Sequence, residues 1–286
     1  MSASSCQLNN YYIKIDKDKI CVDYTNSRVK IIKFYTMSVQ NIKRLIHFVS
    51  RQRLGKIICN CDIEYLDNFT KAGFELEGKI DGYFKGKDAF CMSYFINKNR
   101  RLYSEHSKED LILRQSLNKK DTFIYKSSNF NYHIRNAAES DIKNMIKLFS
   151  QIFSTYPSEI FNEDYLRNTL NKKVLYKVAV DNDSRIIGIA SADLDRENLN
   201  AEITDCVTHP HYRNKGILSN IIYSLELELK KMGFITLYSL SRAIHPSINL
   251  VLSKQGYTFR GKLINNCNIC GGFENMNIWV KNINNI

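Results

Sequence analysis

Residues 202–219 read Glu-Ile-Thr-Asp-Cys-Val-Thr-His-Pro-His-Tyr-Arg-Asn-Lys-Gly-Ile-Leu-Ser. The pattern predicts a strand, a tight loop and then a long helix over Gly216–Met232. The first turn of a helix offers free backbone N–H groups and the positive end of the helix dipole, which suit a phosphate. Arg213 and Lys215 add positive charge, and a glycine allows close backbone approach. The segment therefore predicts an anion site, although any basic first helical turn would give the same pattern.

The sequence on both sides of this segment alternates helical and strand patterns. From His133 onward the predicted order is a strand, two helices, three strands, the long helix, a strand, a helix and two strands. The first of these helices starts at Ser140 or Asp141 and is expected to end at Pro157. The second is predicted over Ser158–Leu170. The last two strands are predicted at Tyr257–Ile264 and Asn275–Val280.

The chain before this unit predicts a second, smaller α/β unit. We expect an N-terminal domain over residues 1–100, a polar linker with a bridging helix over 101–131, and the main domain over 132–286. The run KAGFELEGKI at 71–80 matches KQGYTFRGKL at 254–263 with a constant offset of 183 residues. This match indicates a partial duplicate of one fold, or else a common helix–glycine–strand junction. The first copy has no counterpart of residues 209–219.

Composition limits the classes of function. The 286 residues are 44% hydrophobic and 24% charged, and no apolar run approaches the roughly 18 residues of a membrane span. The start, MSASSCQLNNYY, has no basic or apolar leader region, so we predict no signal peptide and a cytoplasmic protein. The net charge of +12 is spread along the chain, which favours a phosphate-bearing cofactor over nucleic acid. The eight cysteines are expected to be buried thiols, because Cys59-x-Cys61 is a poor zinc spacing, and no metal is predicted.

The order of elements, with R-x-x-G after a strand ending in V-x-x-P, resembles the GNAT superfamily of N-acetyltransferases. The resemblance implies a mixed, mostly antiparallel sheet flanked by helices, and acetyl-coenzyme A as co-substrate. Leu218 departs from the small residue of the superfamily pattern. The resemblance also implies that backbone groups of Cys206, Val207 and Thr208 bind the pantetheine arm. The expected cofactor-binding set is completed by Arg213, Asn214, Lys215, Gly216, Ile217, Leu218, Ser219 and Asn249.

Three runs resemble the beta-lysine N-acetyltransferases more closely. They are ITDCVTHPHYRNKGI, LYSLSRAIHPSINLVLSKQGY and LINNCNICGGFENMNIW. The resemblance implies direct acetyl transfer, in a ternary complex, to the ε-amine of L-β-lysine, which a lysine 2,3-aminomutase supplies. Another small amine, such as lysine or a polyamine, is the alternative substrate. A non-catalytic acyl-coenzyme A sensor or a nucleic-acid-binding module is the alternative of another class.

An alkyl amine has a pKa near 10.4, so a base is expected to help deprotonate it. Glu202 is the first candidate, because it lies eleven residues before Arg213, as the base does in some superfamily members. Asp205 is the second candidate. Strand alternation turns Asp205 away from Glu202 unless a bulge intervenes. Cys206 is not expected to be a nucleophile.

Two further features of the family pattern bear on catalysis. Many relatives carry a Tyr, as proton donor to the leaving thiolate, at the position of Leu252. Ser253 or Tyr257 is the candidate replacement. For the substrate we expect a polar loop, with a turn-rich hairpin as the structural alternative, and the N-terminal domain is expected to complete either this pocket or a homodimer. The candidate substrate residues of that loop are Asn265, Asn266, Asn268 and Glu274.

Overall fold

The computed structural model describes residues 10–15, 18–35, 37–125 and 131–284. The strands of this part are β1 (Tyr11–Ile15), β2 (Asp18–Asp23), β3 (Arg28–Lys33), β4 (Lys56–Cys61), β5 (Glu75–Phe84), β6 (Lys87–Phe95), β7 (Tyr132–Asn136), β8 (Val174–Asp181), β9 (Ile186–Asp195), β10 (Asn200–Thr208), β11 (Thr236–Arg242), β12 (Thr258–Ile269) and β13 (Gly272–Asn282). The α-helices are α1 (Val39–Ser50), α2 (Ile63–Lys71), α3 (His106–Leu117), α4 (Ile142–Ile152), α5 (Glu163–Thr169), α6 (Ile217–Lys231) and α7 (Pro246–Lys254). Cys6, part of the cysteine prediction, lies outside these residues.

All thirteen described strands join one sheet, in the order β1-β2-β3-β4-β6-β5-β12-β13-β11-β10-β9-β8-β7. Neighbours are antiparallel except for two parallel pairs, β3–β4 and β10–β11. The strands of the N-terminal half (β1–β6, with α1 and α2) thus lie next to one another at one end of this order. Those of the C-terminal half (β7–β13, with α4–α7) lie at the other end. The predicted mixed, mostly antiparallel sheet flanked by helices is confirmed.

The helices cover the sheet because each presents an apolar stripe at helical spacing. In α4, Ile142, Met145 and Phe149 are buried against one face of the C-terminal half. The helices α6 and α7 pack on the opposite face, in a separate core around Trp279. A third core lies under α1 and α2 in the N-terminal half. No helix among the described residues is both long and apolar enough to cross a membrane.

The two halves meet at a pair of glycines. Gly78 in β5 pairs with Gly261 in β12, and these residues occupy the same place in the sequence repeat. A Cβ on Gly78 would lie 2.7 Å from the carbonyl oxygen of Arg260, and one on Gly261 would lie 2.4 Å from that of Glu77. Each strand carries a bulge at its glycine. Equivalent residues of the repeat thus pair with each other where the halves meet, and we propose that the halves are diverged copies of one fold.

Three predictions about local structure are wrong. Residues 158–162 are not helical; α5 begins at Glu163, because the Asn162 side chain caps it by accepting a hydrogen bond from the Tyr165 N–H at 3.1 Å. The helix α4 ends at Ile152, before Pro157. The predicted loop over 265–274 is instead the extension of β12 and β13, with the turn confined to Cys270 and Gly271. A bulge between Leu263 and Cys267 lets β12 bend and continue.

Candidate active site

A cavity of about 510 Å³ opens where β10 and β11 separate. The two strands pair in parallel only through Asn200–Glu202 and Thr236–Tyr238, and then diverge. Beyond this pairing, the Ser239 hydroxyl of β11 donates a hydrogen bond to the carbonyl oxygen of Ile203 at 2.8 Å, and the edge of β10 that faces the cavity has no backbone pairing with β11 from Ile203 onward. The polar lining includes Tyr156, Thr204, Asp205, Thr208, Arg213, Asn214, Ser219, Ser239, Ser241, Arg242 and His245. Cys206 and Val207 also border the cavity, so the strand segment predicted to bind the pantetheine arm lies along it.

The start of α6 forms one wall of this cavity. Gly216 occupies the N-cap position with φ of 72°, and no side chain caps the helix. A Cβ at Gly216 would meet no atom within 4 Å, so the space in front of the first turn is open. Arg213 borders the same space, and Lys215 borders the adjoining surface. Ile217, Leu218 and Ser219 complete the wall, so the predicted anion-binding residues are brought together at one helix end.

Asp205 reaches the cavity because β10 is bulged between Thr204 and Val207. Its φ of 48° is left-handed, and its side chain is 4% exposed. The Tyr176 hydroxyl and the Ser191 hydroxyl donate hydrogen bonds to Oδ2 at 2.8 and 3.0 Å. Burial raises the pKa of Asp205, and these hydrogen bonds oppose the rise. The bulge that would bring Asp205 toward the site is therefore present.

Glu202 and Asp193 extend the acidic surface along the sheet. They are direct cross-strand partners on β10 and β9, so their side chains share one face. Glu202 is half-buried, and burial raises its pKa. Asp193 is exposed at its surface, but the surrounding residues remove much of the water around its carboxylate. This loss of solvation, together with the charges of Asp205 and Glu202, raises the pKa of Asp193 well above the usual range. We call Asp193, Glu202 and Asp205 the acidic cluster.

The acidic cluster has no cationic partner in the part of the chain that is described. No Lys or Arg nitrogen there lies within 4.0 Å of its carboxylate oxygens. Like charges so close together repel one another, and an added cation would relieve that repulsion. The arrangement therefore suits a positively charged ligand such as an ammonium group.

Comparisons with known proteins agree with this geometry. The model of the acetyltransferase (GNAT) family matches residues 142–257, from the start of α4 to just beyond α7. A protein of Methanosarcina mazei named beta-lysine N(6)-acetyltransferase is 36% identical over 80% of this chain and 92% of its own length. The chain belongs to the GNAT family. It is an acetyl-coenzyme A-dependent N-acetyltransferase.

Two further relatives of this GNAT enzyme match nearly the whole chain. A Methanococcus maripaludis protein, also named beta-lysine N(6)-acetyltransferase, is 29% identical over 94% of this chain and 97% of its own length. The N-acetyltransferase YodP of Bacillus subtilis is 30% identical over 91% of this chain and 94% of its own length. The similarity therefore includes the N-terminal half, which lies outside the matched family model.

The acetyltransferase does not bring every candidate residue to the cavity. Asn249 is fully buried, where its side chain accepts hydrogen bonds from Ser241 at 2.8 Å and from the Trp279 indole at 2.9 Å. Leu252 and Ser253 of α7, and Tyr257 shortly after it, are also fully buried and are not part of the cavity lining. None of these three side chains is therefore placed to donate a proton to a thiolate in the cavity.

The candidate substrate residues lie at the junction of the two halves of the GNAT enzyme. The carbonyl oxygens of Asn265 and Asn266 accept hydrogen bonds from Arg100 at 3.1 Å and from Arg28 at 2.7 Å. The backbone N–H of Asn268 donates to the Asn26 side chain at 2.8 Å. Glu274 forms a two-pronged ion pair with Arg242, which borders the cavity.

Three features of the site were missed by sequence reasoning. Asp193 lies on a different strand from Glu202, and no motif links the two residues. Tyr176 and Ser191 orient Asp205 from β8 and β9, and only the sheet register brings them together. His245 borders the cavity, and burial together with the charge of Arg242 lowers its pKa. Its position before Pro246, at the start of α7, was the one available signal.

Four of the described cysteines (Cys59, Cys61, Cys91 and Cys267) are buried, but Cys21 and Cys206 are half-buried and Cys270 is exposed, so the prediction of buried thiols is wrong for these three. Cys206, which borders the cavity, is not poised as a nucleophile. Burial raises the pKa of the Cys206 thiol, and its Sγ lies 3.3 Å from the carbonyl oxygen of Thr204. A thiol with a raised pKa is a poor nucleophile. The described part of the chain contains no group of three or more His, Cys, Asp or Glu side chains arranged to hold a metal ion.

Proposed function

We propose that this acetyltransferase transfers the acetyl group of acetyl-coenzyme A to the ε-amine of L-β-lysine. The observation that carries the proposal is the acidic cluster, which has no cationic partner among the described residues and adjoins the cavity of the uncapped helix α6. A diamine substrate brings the positive charge that this cluster lacks. The names of the two archaeal relatives supply the identity of the amine.

The residues at the start of α6 fit the phosphates of acetyl-coenzyme A. The free N–H groups of the first turn, with Arg213 and Lys215, would hold the pyrophosphate. The open edge of β10 at Cys206–Thr208 would hydrogen-bond the pantetheine arm. Acetyl-coenzyme A supplies an activated thioester, and a thiol of pKa about 8.5 is a good leaving group even without a proton donor.

Asp205 is our candidate for the base that receives the proton of the ε-ammonium group. It is the carboxylate in the lining of the cavity, and its raised pKa makes it a stronger base than an exposed aspartate. The hydrogen bonds from Tyr176 and Ser191 hold Oδ2 in place. Glu202, the first candidate by sequence spacing, precedes Asp205 by three residues on β10. It is the alternative base, and it would receive the proton through a bridging water.

In this proposal Glu202 and Asp193 bind the second amine of the substrate. The reacting amine lies near Asp205, and the carbon chain follows β10 away from the cofactor toward the Glu202–Asp193 pair. Two carboxylates on one sheet face suit an ammonium group, which donates three hydrogen bonds. The β-amine of β-lysine would occupy this position.

The organisation of the chain supports a role for the N-terminal half in this reaction. We retain the division into residues 1–100, 101–131 and 132–286, in which the first unit completes the substrate cleft rather than a homodimer. Asn265, Asn266 and Asn268 then act as structural links between the units, because their contacts are with Arg100, Arg28 and Asn26. A lysine 2,3-aminomutase would supply the substrate.

The test is thiol release from acetyl-coenzyme A by the full-length protein with a panel of amines. L-β-lysine, L-lysine, 1,4-diaminopentane and spermidine are compared at equal concentrations, and mass spectrometry locates the acetyl group. We expect the highest kcat/KM with L-β-lysine and acetylation at the ε-amine. Preference for another amine of the panel would keep the reaction and replace the substrate. If the protein binds coenzyme A but releases no thiol with any amine, the alternative of a non-catalytic acyl-coenzyme A sensor would be favoured.

A further inference from the structure

The strand β3 of the N-terminal half approaches the β9–β10 hairpin, which carries the acidic cluster. We call the space between β3 and this hairpin the cleft. Lys33, at the end of β3, forms an ion pair with Glu197 in the turn between β9 and β10 at 2.9 Å. Arg28, at its start, donates a hydrogen bond to the carbonyl oxygen of Asn266 at 2.7 Å. Six strands separate β3 from β10 in the sheet order, so these contacts require the sheet to curl until β3 approaches the β9–β10 hairpin.

Lys30 lies between these two ties, on the sheet face that looks into the cleft. The neighbouring Val29 and Ile31 point to the opposite face and are buried beneath α1 and α2. Lys30 pairs with Ile58 of β4. The next residue along β4 on that face, Asn60, pairs with Cys91, which belongs to the core under α4 and α5. Lys30 thus shares its sheet face with the acidic cluster.

The charge of Lys30 acts on the acidic cluster directly. Its side chain is exposed, and among the described residues it forms no ion pair. Its positive charge lowers the pKa of both Glu202 and Asp193, against the larger effect of burial. Because β3 is tied to the β9–β10 hairpin and no ion pair joins Lys30 to the cluster among the described residues, Lys30 faces Glu202 and Asp193 across a gap without contacting either of them.

A ligand that satisfies both sides of this gap needs charges of both signs. A polyamine would neutralise the acidic cluster but would meet repulsion from Lys30. A diamino acid would direct its amines to the cluster and its carboxylate to the lysine. We propose that Lys30 binds the carboxylate of the amine substrate, so that the N-terminal half determines the selection of a diamino acid over a carboxylate-free amine. This inference rests on the proposed function.

The test compares L-β-lysine with its carboxamide, which has nearly the same shape but no negative charge. For Lys30→Met we expect KM for L-β-lysine to rise at least about tenfold, with kcat within a factor of about three. KM for the carboxamide should stay within about twofold of the wild-type value, because that substrate has no charge for Lys30 to bind. Lys43→Met, at an exposed lysine of α1 on the opposite face of the same half, is the matched control and should leave both substrates unchanged.

Each other outcome has a defined meaning. An equal rise in KM for both substrates, or no rise for either, would overturn the role of Lys30. If the wild-type enzyme prefers L-lysine, the substrate proposal fails, and the same comparison with L-lysine and its carboxamide still tests Lys30. If the wild-type enzyme prefers spermidine or 1,4-diaminopentane, the selection for a carboxylate is overturned as well.

Discussion

The segments β3–α1 and β10–α6 occupy corresponding places in the two halves, because each strand begins a parallel pair and leads into a helix. Only α1 has a side chain that caps its first turn. In α1 the Ser38 hydroxyl accepts a hydrogen bond from the Asn41 N–H at 3.2 Å. In α6 the N-cap is Gly216, which has no side chain to cap the first turn. The first-turn N–H groups of α6 therefore stay available for an anion, whereas those of α1 are partly used by the protein itself.

The strands that precede these helices also differ, in how far each pairs with its parallel neighbour. The parallel pairing of β3 with β4 covers Arg28–Ile31, whereas that of β10 with β11 stops at Glu202. Beyond that point β10 is bulged and the strands diverge into the cavity. In our proposal, a local bulge and a missing cap thus distinguish the half that would hold the cofactor from the half that would cover the substrate. The following predictions test that contrast.

The largest expected effect is at the glycine pair where the halves join. Gly261→Ala adds a Cβ 2.4 Å from the carbonyl oxygen of Glu77, at a backbone φ of 150°. We expect a loss of about 3 kcal/mol in the free energy of unfolding, measured by urea denaturation. Gly78→Ala should behave alike, because its Cβ would lie 2.7 Å from the Arg260 carbonyl oxygen.

Gly86→Ala is the control for this pair. Gly86 also has positive φ, but no atom lies within 4 Å of its Cβ position, so only the backbone strain of about 1 kcal/mol should appear. Equal losses at Gly86, Gly78 and Gly261 would contradict a sterically required junction.

The next largest effect is expected at Asp205. Asp205→Asn keeps the shape of the side chain but removes its charge, and should lower kcat about a hundredfold while coenzyme A binding is retained. Because burial raises the pKa of Asp205, the wild-type kcat/KM should fall as the pH drops through a value above that of an ordinary aspartate, where the base becomes protonated. This acidic limb should vanish in the variant.

Asp183→Asn, at an exposed aspartate in the turn between β8 and β9, is the control for Asp205. Turnover of Asp205→Asn within about threefold of wild type, with an unchanged pH profile, would remove Asp205 from the base role.

Glu202→Gln separates the two roles open to that residue. If Glu202 binds the second amine, KM for L-β-lysine should rise about tenfold with kcat nearly unchanged. A fall in kcat with loss of the acidic limb would return Glu202 to the position of base. Steady-state kinetics between pH 6 and 9, beside the Asp205 variant, distinguish the two results.

The smallest effects are expected from a matched change at the two helix starts. Arg213→Gln should raise KM for acetyl-coenzyme A about tenfold without changing the unfolding free energy. Ser38→Ala should do the reverse, with a loss of about 1 kcal/mol in stability and no change in KM. A change in KM from Ser38→Ala would show that both halves bind the cofactor.

Local patterns predicted most elements of the main domain correctly. Gly216 and the apolar positions after it predicted α6 to within one residue at each end. The main failures were at 158–162 and 265–274. There a cap at Asn162 and a bulge in β12, neither of which changes hydrophobic periodicity, decided where the elements begin and end.

The proposed cofactor end of the site could be predicted from the sequence because it is one continuous segment. Residues 206–219 run from the end of β10 through a loop into the first turn of α6, and the groups proposed to bind the cofactor belong largely to the backbone of this segment. The proposed substrate end could not be predicted as a unit, since Asp193, Asp205 and Lys30 lie on three strands and the sequence offered only Asp205 of the three. The substrate role of Asn265 and Asn266 stays a prediction; in the structure their backbone carbonyl oxygens accept hydrogen bonds from Arg100 and Arg28 of the N-terminal half.

The sequence by itself determined the family, the helix start at Gly216 and the repeat that ends in Gly78 and Gly261, because each depends on residues close together in the chain. Only the tertiary structure decided which carboxylates meet. A bulge turns Asp205 into the cavity, the register of β9 sets Asp193 beside Glu202, and the curled sheet brings β3 over them. Unpaired charges interact through space, so their effect depends on the distances that the whole sheet sets rather than on their spacing along the chain.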